Sequence, residues 1–248
     1  MEELTALHYG LVAVCSLVAG TIGGVAGYGT GLLMPLVLTP LVGPEAVVPI
    51  IGASALLTNG SRVAAFRTFV EPRRALVIAA AALPGCILGA YGYALLAGRG
   101  ATLLIGTVLV LMVPVRWLLA HWRTRLSHRG VAVAGAGYGV LVGGTSGSGV
   151  VLLAILLASG LNGRAVVATD AAISMILGLV KTSTFQMLGA MTPSAWLAAL
   201  VVGAAAAPGA FIARRLTGAL PVKAHNGILD GAIVTGGLIM VAQGLGPS

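Results

Sequence analysis

The chain has 248 residues, 58% of them hydrophobic and only 8% charged, with a formal net charge of +8. About a quarter of the residues in an ordinary soluble domain are charged, so this composition excludes a soluble globular fold and predicts a polytopic, all-helical membrane protein. The basic residues are interleaved between apolar runs, with no basic face and no aromatic stacking platform, which argues against nucleic acid as a partner.

Proline, glycine and charge punctuation divides the chain into ten apolar segments, at 8–24, 30–42, 45–66, 73–97, 101–119, 131–145, 149–159, 165–187, 193–213 and 222–244. Glu2 and Glu3 stand where a secretory leader carries basic residues, so the first run is expected to stay as a span. Read as one helix, Gly10 to Val42 would be ~50 Å long against a hydrocarbon core of ~30 Å. It must therefore break, and the glycines between the first two segments mark the place.

The third segment carries Thr58, Asn59 and Arg62 on one helical face. The fourth contains Pro84-Gly85, matched in the ninth by Pro208-Gly209, and these prolines, with Pro35, are read as kinks. The longest polar stretch, His121 to Gly130, is a central loop and not a domain. The eighth segment holds Asp170, Ser174, Lys181, Thr182, Ser183 and Gln186, and the tenth holds Asp230.

A glycine-rich run occurs twice. Gly23-Gly24-Val25-Ala26-Gly27-Tyr28-Gly29-Thr30-Gly31-Leu32-Leu33 returns as Gly143-Gly144-Thr145-Ser146-Gly147-Ser148-Gly149-Val150-Val151-Leu152-Leu153, with six of eleven positions identical at an offset of 120. The chain is thus expected to hold two repeats, 1–122 and 131–248, joined by a cytoplasmic linker at 123–130.

Ten of the fourteen arginines and lysines fall in three clusters: Arg67, Arg73 and Arg74; Arg116, Arg123, Arg125 and Arg129; Arg214, Arg215 and Lys223. Positive charge marks cytoplasmic loops, so all three clusters are placed inside. The basic loop at 67–74 corresponds to the uncharged stretch 186–192, and the nearly neutral turn at Arg99 to the basic turn at 214–223. The charge bias inverts between the halves, which predicts repeats of opposite topology. Each half then crosses an odd number of times, its first two segments forming a broken or re-entrant hairpin, with both termini periplasmic.

Matching breaks in two halves point to a transporter's binding site. The segments starting at Thr30 and Gly149 would present helix N-termini, whose amides and positive dipole ends favour an anion. Gly27, Tyr28, Gly29, Thr30, Ser146, Gly147, Ser148 and Gly149 are accordingly expected to bind it, with Thr145 as a further hydroxyl. The competing reading of the glycines is close helix packing.

Arg62 and Lys181 occupy matching positions 119 residues apart, and intramembrane charges are candidates for function. They are read as cations flanking the site, Arg62 toward the inner face and Lys181 toward the outer, or else as side chains snorkelling to the interface. Asn59 joins them as a binding candidate. Asp170 and Asp230 are coupling-ion candidates, Asp170 alternatively forming a structural ion pair or cap.

Cys15 and Cys86 lack any metal-ligand or redox spacing, and the four histidines are scattered. No nucleophile and base pair is evident, so neither enzyme chemistry, a metal nor a cofactor is expected.

The paired Gly-Gly-x-x-Gly-x-Gly runs followed by Leu-Leu, the segment Pro84-Gly85-x-x-x-Gly89, and the length with its basic central loop resemble the TauE/SafE sulfite exporter family, also called the toluene sulfonate uptake permease family. The resemblance spans almost the whole chain. It implies a secondary carrier of the bacterial inner membrane for a small sulfur-containing anion such as sulfite, sulfoacetate or another sulfonate, driven by an ion gradient. It leaves a homodimer open. An anion channel built on the same cradle is the alternative, and a non-transport membrane subunit a second.

Overall fold

The computed structural model describes residues 5–26, 29–121, 126–216 and 222–245. They form ten α-helices and no strand: α1 Ala6–Ala26, α2 Thr30–Val42, α3 Pro44–Phe66, α4 Pro72–Ala94, α5 Arg99–His121, α6 His128–Gly144, α7 Gly149–Ala158, α8 Arg164–Met187, α9 Pro193–Leu216 and α10 Val222–Leu245. A short 3-10 turn, Arg67–Phe69, joins α3 to α4. Each expected segment is a helix, its ends shifted by at most a few residues.

Length separates two kinds of helix. The spans Ala6–Gly24, Pro44–Phe69, Pro72–Ala94, Arg164–Met187 and Pro193–Arg215 are long and apolar enough to cross a membrane. At ~1.5 Å per residue, the 23 residues of α3 reach ~35 Å, whereas the 13 of α2 and the 10 of α7 reach only ~20 and ~15 Å. Separate helices begin at Thr30 and at Gly149, within the two glycine runs.

The helices pair in a pattern that survives exchange of the halves. α1 lies along α9 and α6 along α4; α3 packs on α9 and α8 on α4; α3 crosses α8, and α5 runs beside α10. Small residues make these contacts close, because helices in lipid gain nothing from burying apolar surface and associate through backbone proximity. A Cβ on Gly139 would strike Ala82 of α4, one on Gly143 would strike Cys86 and stand 2.9 Å from the Ala90 amide nitrogen, and one on Gly85 would lie 2.8 Å from the Ala136 carbonyl oxygen. Gly20 against Ala206, and Gly209 against Thr21, do the same between α1 and α9. Pro84-Gly85 and Pro208-Gly209, expected to act as kinks, thus contribute the glycine as a contact point, and α4 and α9 continue through the proline.

Among the described residues two large apolar cores result, beside a small cluster of Ala65, Phe66 and Ala168. One gathers Leu32, Met34, Leu38, Val47, Ile50, Leu109 and Phe185, and the other Ile78, Ala82, Cys86, Leu152, Leu156, Ile173 and Leu177. Leu76, Leu88, Leu197 and Leu200 point outward and are exposed, as residues facing lipid must be.

Contacts between loops fix the ends of the bundle. At one end Arg74 Nη1 donates to the Ser159 carbonyl and hydroxyl just past α7, and the Leu126 amide, ahead of α6, donates to the Ala158 carbonyl at 2.9 Å. Arg164 lies 5.6 Å over the Phe69 ring there. At the other end Glu45 accepts from the Gly98 amide, and Tyr93 donates to the Pro44 carbonyl. α2 therefore ends where α3 begins, and α7 ends where α3 finishes.

Candidate functional site

The two glycine runs touch. A Cβ on Gly31 would lie 2.7 Å from the Gly147 amide nitrogen, and one on Gly147 would collide with Leu32. Gly147 has φ +85, a left-handed conformation that side chains disfavour. Local chemistry and tertiary contact therefore both demand glycine at this place.

Beside this contact lies a cavity of about 120 Å³ lined by both runs, by α3 and α8, and by α6 and α9. Space on this scale holds a few waters or one small ion, well short of the roughly 300 Å³ and upward of drug-sized sites. Gly29, Thr30, Gly31, Ser146, Gly147, Ser148 and Gly149 all line it. Gly29, which caps α2, has no side chain to offer the helix start, and Ser148, which caps α7, makes no side-chain bond to it. The first amides of both helices consequently lack an intrahelical acceptor. Thr145 spends its hydroxyl on the Leu141 carbonyl at 2.6 Å, and the Ser148 hydroxyl meets Tyr138.

Three charged side chains enter the cavity from the crossing of α3 and α8. Arg62 is 8% exposed, Lys181 5% and Asp170 1%. Arg62 Nη2 meets Asp170 Oδ2 at 2.8 Å, and its Nη1 donates to Asn59 Oδ1 at 3.0 Å. Asp170 is thus one half of a buried ion pair. Lys181 Nζ instead donates to the Val142 and Thr145 carbonyls at 2.8 and 2.7 Å, at the C-terminus of α6. Those carbonyls form the negative end of a helix dipole, so they stabilise the ammonium with partial charge only. Among the described residues, Lys181 has no carboxylate partner.

The structure corrects one expectation about these cations. Neither snorkels, since both are buried. Both line the same cavity; α3 and α8 cross where Gly52 permits it, a Cβ there lying 3.3 Å from Lys181 Cε.

Gly27 and Tyr28 lie outside the described residues, as does the Asp230 side chain on α10. Sequence reasoning missed Tyr138, on α6, which is 2% exposed and lines the cavity beside Thr58 and Ser174. Its signal was a phenolic hydroxyl in an apolar run, which needs a partner when buried. Lys181's attachment to α6 left no local signal.

The model of the family described as sulfite exporter TauE/SafE matches residues 12–240. The chain belongs to this family. TauE/SafE members are membrane transporters and not enzymes, and with its five long apolar helices this member is a multi-pass membrane protein. No curated protein and no solved structure matches the chain.

Proposed function

We propose that this TauE/SafE protein is a secondary active transporter of a small sulfur-containing anion, such as sulfite, sulfoacetate or another organosulfonate, across the bacterial inner membrane. The observation that carries this reading is the meeting of two uncapped helix starts at Gly31 and Gly147, beside a cavity where two cations face one carboxylate. Helix N-termini and an incompletely neutralised ammonium both favour an anion. The cavity's size favours a small one.

In this reading residues 1–122 and 131–248 are inverted repeats joined by a linker at 123–130. The first two helices of each repeat form a re-entrant hairpin. Support comes from the short α2 and α7, whose far ends adjoin opposite ends of α3, and from the hydrogen bond between Leu126 and Ala158 that returns α7 to the start of α6. The exchange pattern of helix contacts agrees with it. The anion binds between Gly29, Thr30, Ser146, Ser148 and Lys181, and the repeats rock about it to expose it to each side in turn, driven by an ion gradient.

Reconstitution of the purified protein into liposomes tests this. Saturable uptake of radiolabelled sulfite or sulfoacetate, accelerated by an imposed ion gradient, is expected. A current that follows voltage without saturating would instead assign a channel, and no flux of any sulfur anion in either direction would overturn the proposal.

A further inference from the structure

Arg62 and Lys181 are matched in position yet neutralised differently. Lys181 rests on two carbonyls of α6, whereas Arg62 faces a full negative charge. At the offset of 119 residues that relates the two cations, the counterpart of Asp170 is Ile51, which also lines the cavity. Among the described residues, the carboxylate is therefore the one charge of the site without a twin in the other half.

The pair is also incomplete. Asp170 Oδ2 bonds Arg62, but Asp170 Oδ1 and Arg62 Nε are buried without a partner. A buried ion pair offsets its desolvation only when the remaining lone pairs and protons are satisfied, so this one is poised for a further ligand on each side. Arg62 comes from α3 and Tyr138 from α6; Lys181 lies three turns along the same helix as Asp170. On the far side Thr169 accepts the amide of Glu71, an exposed residue. Among the described residues, no second carboxylate lines the cavity.

We infer that the Arg62–Asp170 pair is a proton-operated switch: a proton taken up at Asp170 frees Arg62 for the anion, so that a dianion binds together with a proton and a monoanion binds without one. This deepens the transport reading and rests on it. With Asp170 ionised, two cations against one carboxylate leave a single positive charge, suited to a monoanion held by Lys181. The proton passes from water to Oδ1, the oxygen without a partner, and the carboxyl becomes neutral. The bond to Arg62 Nη2 then loses its charge assistance. The guanidinium, still held at Nη1 by Asn59, leaves the Val167 carbonyl that Nη2 also meets at 3.5 Å and turns Nε and Nη2 to the anion. When the anion leaves, Arg62 pairs again with Asp170 and the proton returns to water.

Calorimetric titration of the purified full chain tests the switch, run in two buffers of different ionisation enthalpy so that proton uptake is read directly. Sulfoacetate serves as the dianion and methanesulfonate as the monoanion, since both keep their charge across the neutral range. Sulfoacetate should take up close to one proton per molecule bound, with affinity falling by up to ~10-fold per pH unit as pH rises, and methanesulfonate should take up almost none.

Asp170→Asn should bind sulfoacetate with no proton uptake and no pH dependence. Should that variant fail to fold, the double variant R62Q/D170N removes both charges of the pair together. It should bind methanesulfonate through Lys181, bind sulfoacetate at least 10-fold more weakly than wild type, and take up no proton. Sulfoacetate binding to wild type without proton uptake, or equal uptake in wild type and R62Q/D170N, would overturn the switch and leave the transport reading standing. If wild type binds neither anion, both fall.

Discussion

Gly31 and Gly147 sit 116 positions apart in the chain, yet a Cβ on the first would lie 2.7 Å from the amide nitrogen of the second. The meeting of these two residues brings the two copies of the repeated motif together beside one cavity. It also makes the site unusually sensitive to the smallest of substitutions.

Gly147→Ala should abolish anion binding, and Gly147→Leu likewise. The alanine adds ~1–2 kcal/mol of left-handed backbone strain and displaces Leu32 and the Gly31 carbonyl. Gly163→Ala separates the two effects, because Gly163 has φ +56 but nothing within 4 Å of its Cβ position. That variant should lose stability and keep wild-type affinity, read by thermal unfolding and calorimetry on the same samples. Wild-type affinity in Gly147→Leu would contradict the cradle.

Lys181→Met should weaken anion binding by at least ~10-fold, since ~1.4 kcal/mol is a factor of ten and a hydrogen bond to a charged group contributes ~1.5–3 kcal/mol. The Val142 and Thr145 carbonyls lose their donor, so melting temperature should fall as well. A variant with lowered stability and unchanged affinity would reduce Lys181 to a cap on α6.

Arg62→Ala should destabilise the protein by ~3–5 kcal/mol, because it strands the Asp170 carboxylate in the interior. Removing both partners should cost less than the sum of the single losses. The double-mutant cycle measured by unfolding in detergent gives this coupling; strict additivity would mean that the 2.8 Å pair contributes nothing.

Gly143→Val should separate α4 from α6 and lower the yield of folded protein, since its side chain would enter the backbone of Cys86 and Ala90. Gly137→Ala, on the same helix with nothing within 4 Å of its Cβ position, should be neutral. Monodispersity on size exclusion and melting temperature report both.

Most of the helices were legible in the sequence, for a reason specific to membranes. Lipid offers backbone groups no partner, so each segment must satisfy its own hydrogen bonds, and what makes a segment helical is contained within it. Proline, glycine and charge marked the ends of all ten helices, and the impossible length of Gly10 to Val42 located the first break. The small residues of α4 and α6 were visible too, though they read as kinks in one helix and, in the other, either as part of a binding motif or as close helix packing. Which helix each would touch was not written locally.

The membrane class, the order of helices, the repeated glycine runs and the presence of a few intramembrane charges follow from residues read in chain order. How those charges are shared follows from the packing of distant helices. That packing sets Asp170 against Arg62 rather than Lys181, lays Lys181 on the carbonyls of α6, and brings Gly31 to Gly147. These pairings join residues 36 to 116 positions apart, and they depend on the crossing of α3 with α8 and on how far each short helix reaches. Periodicity is a property of one segment, whereas a cavity is a property of several.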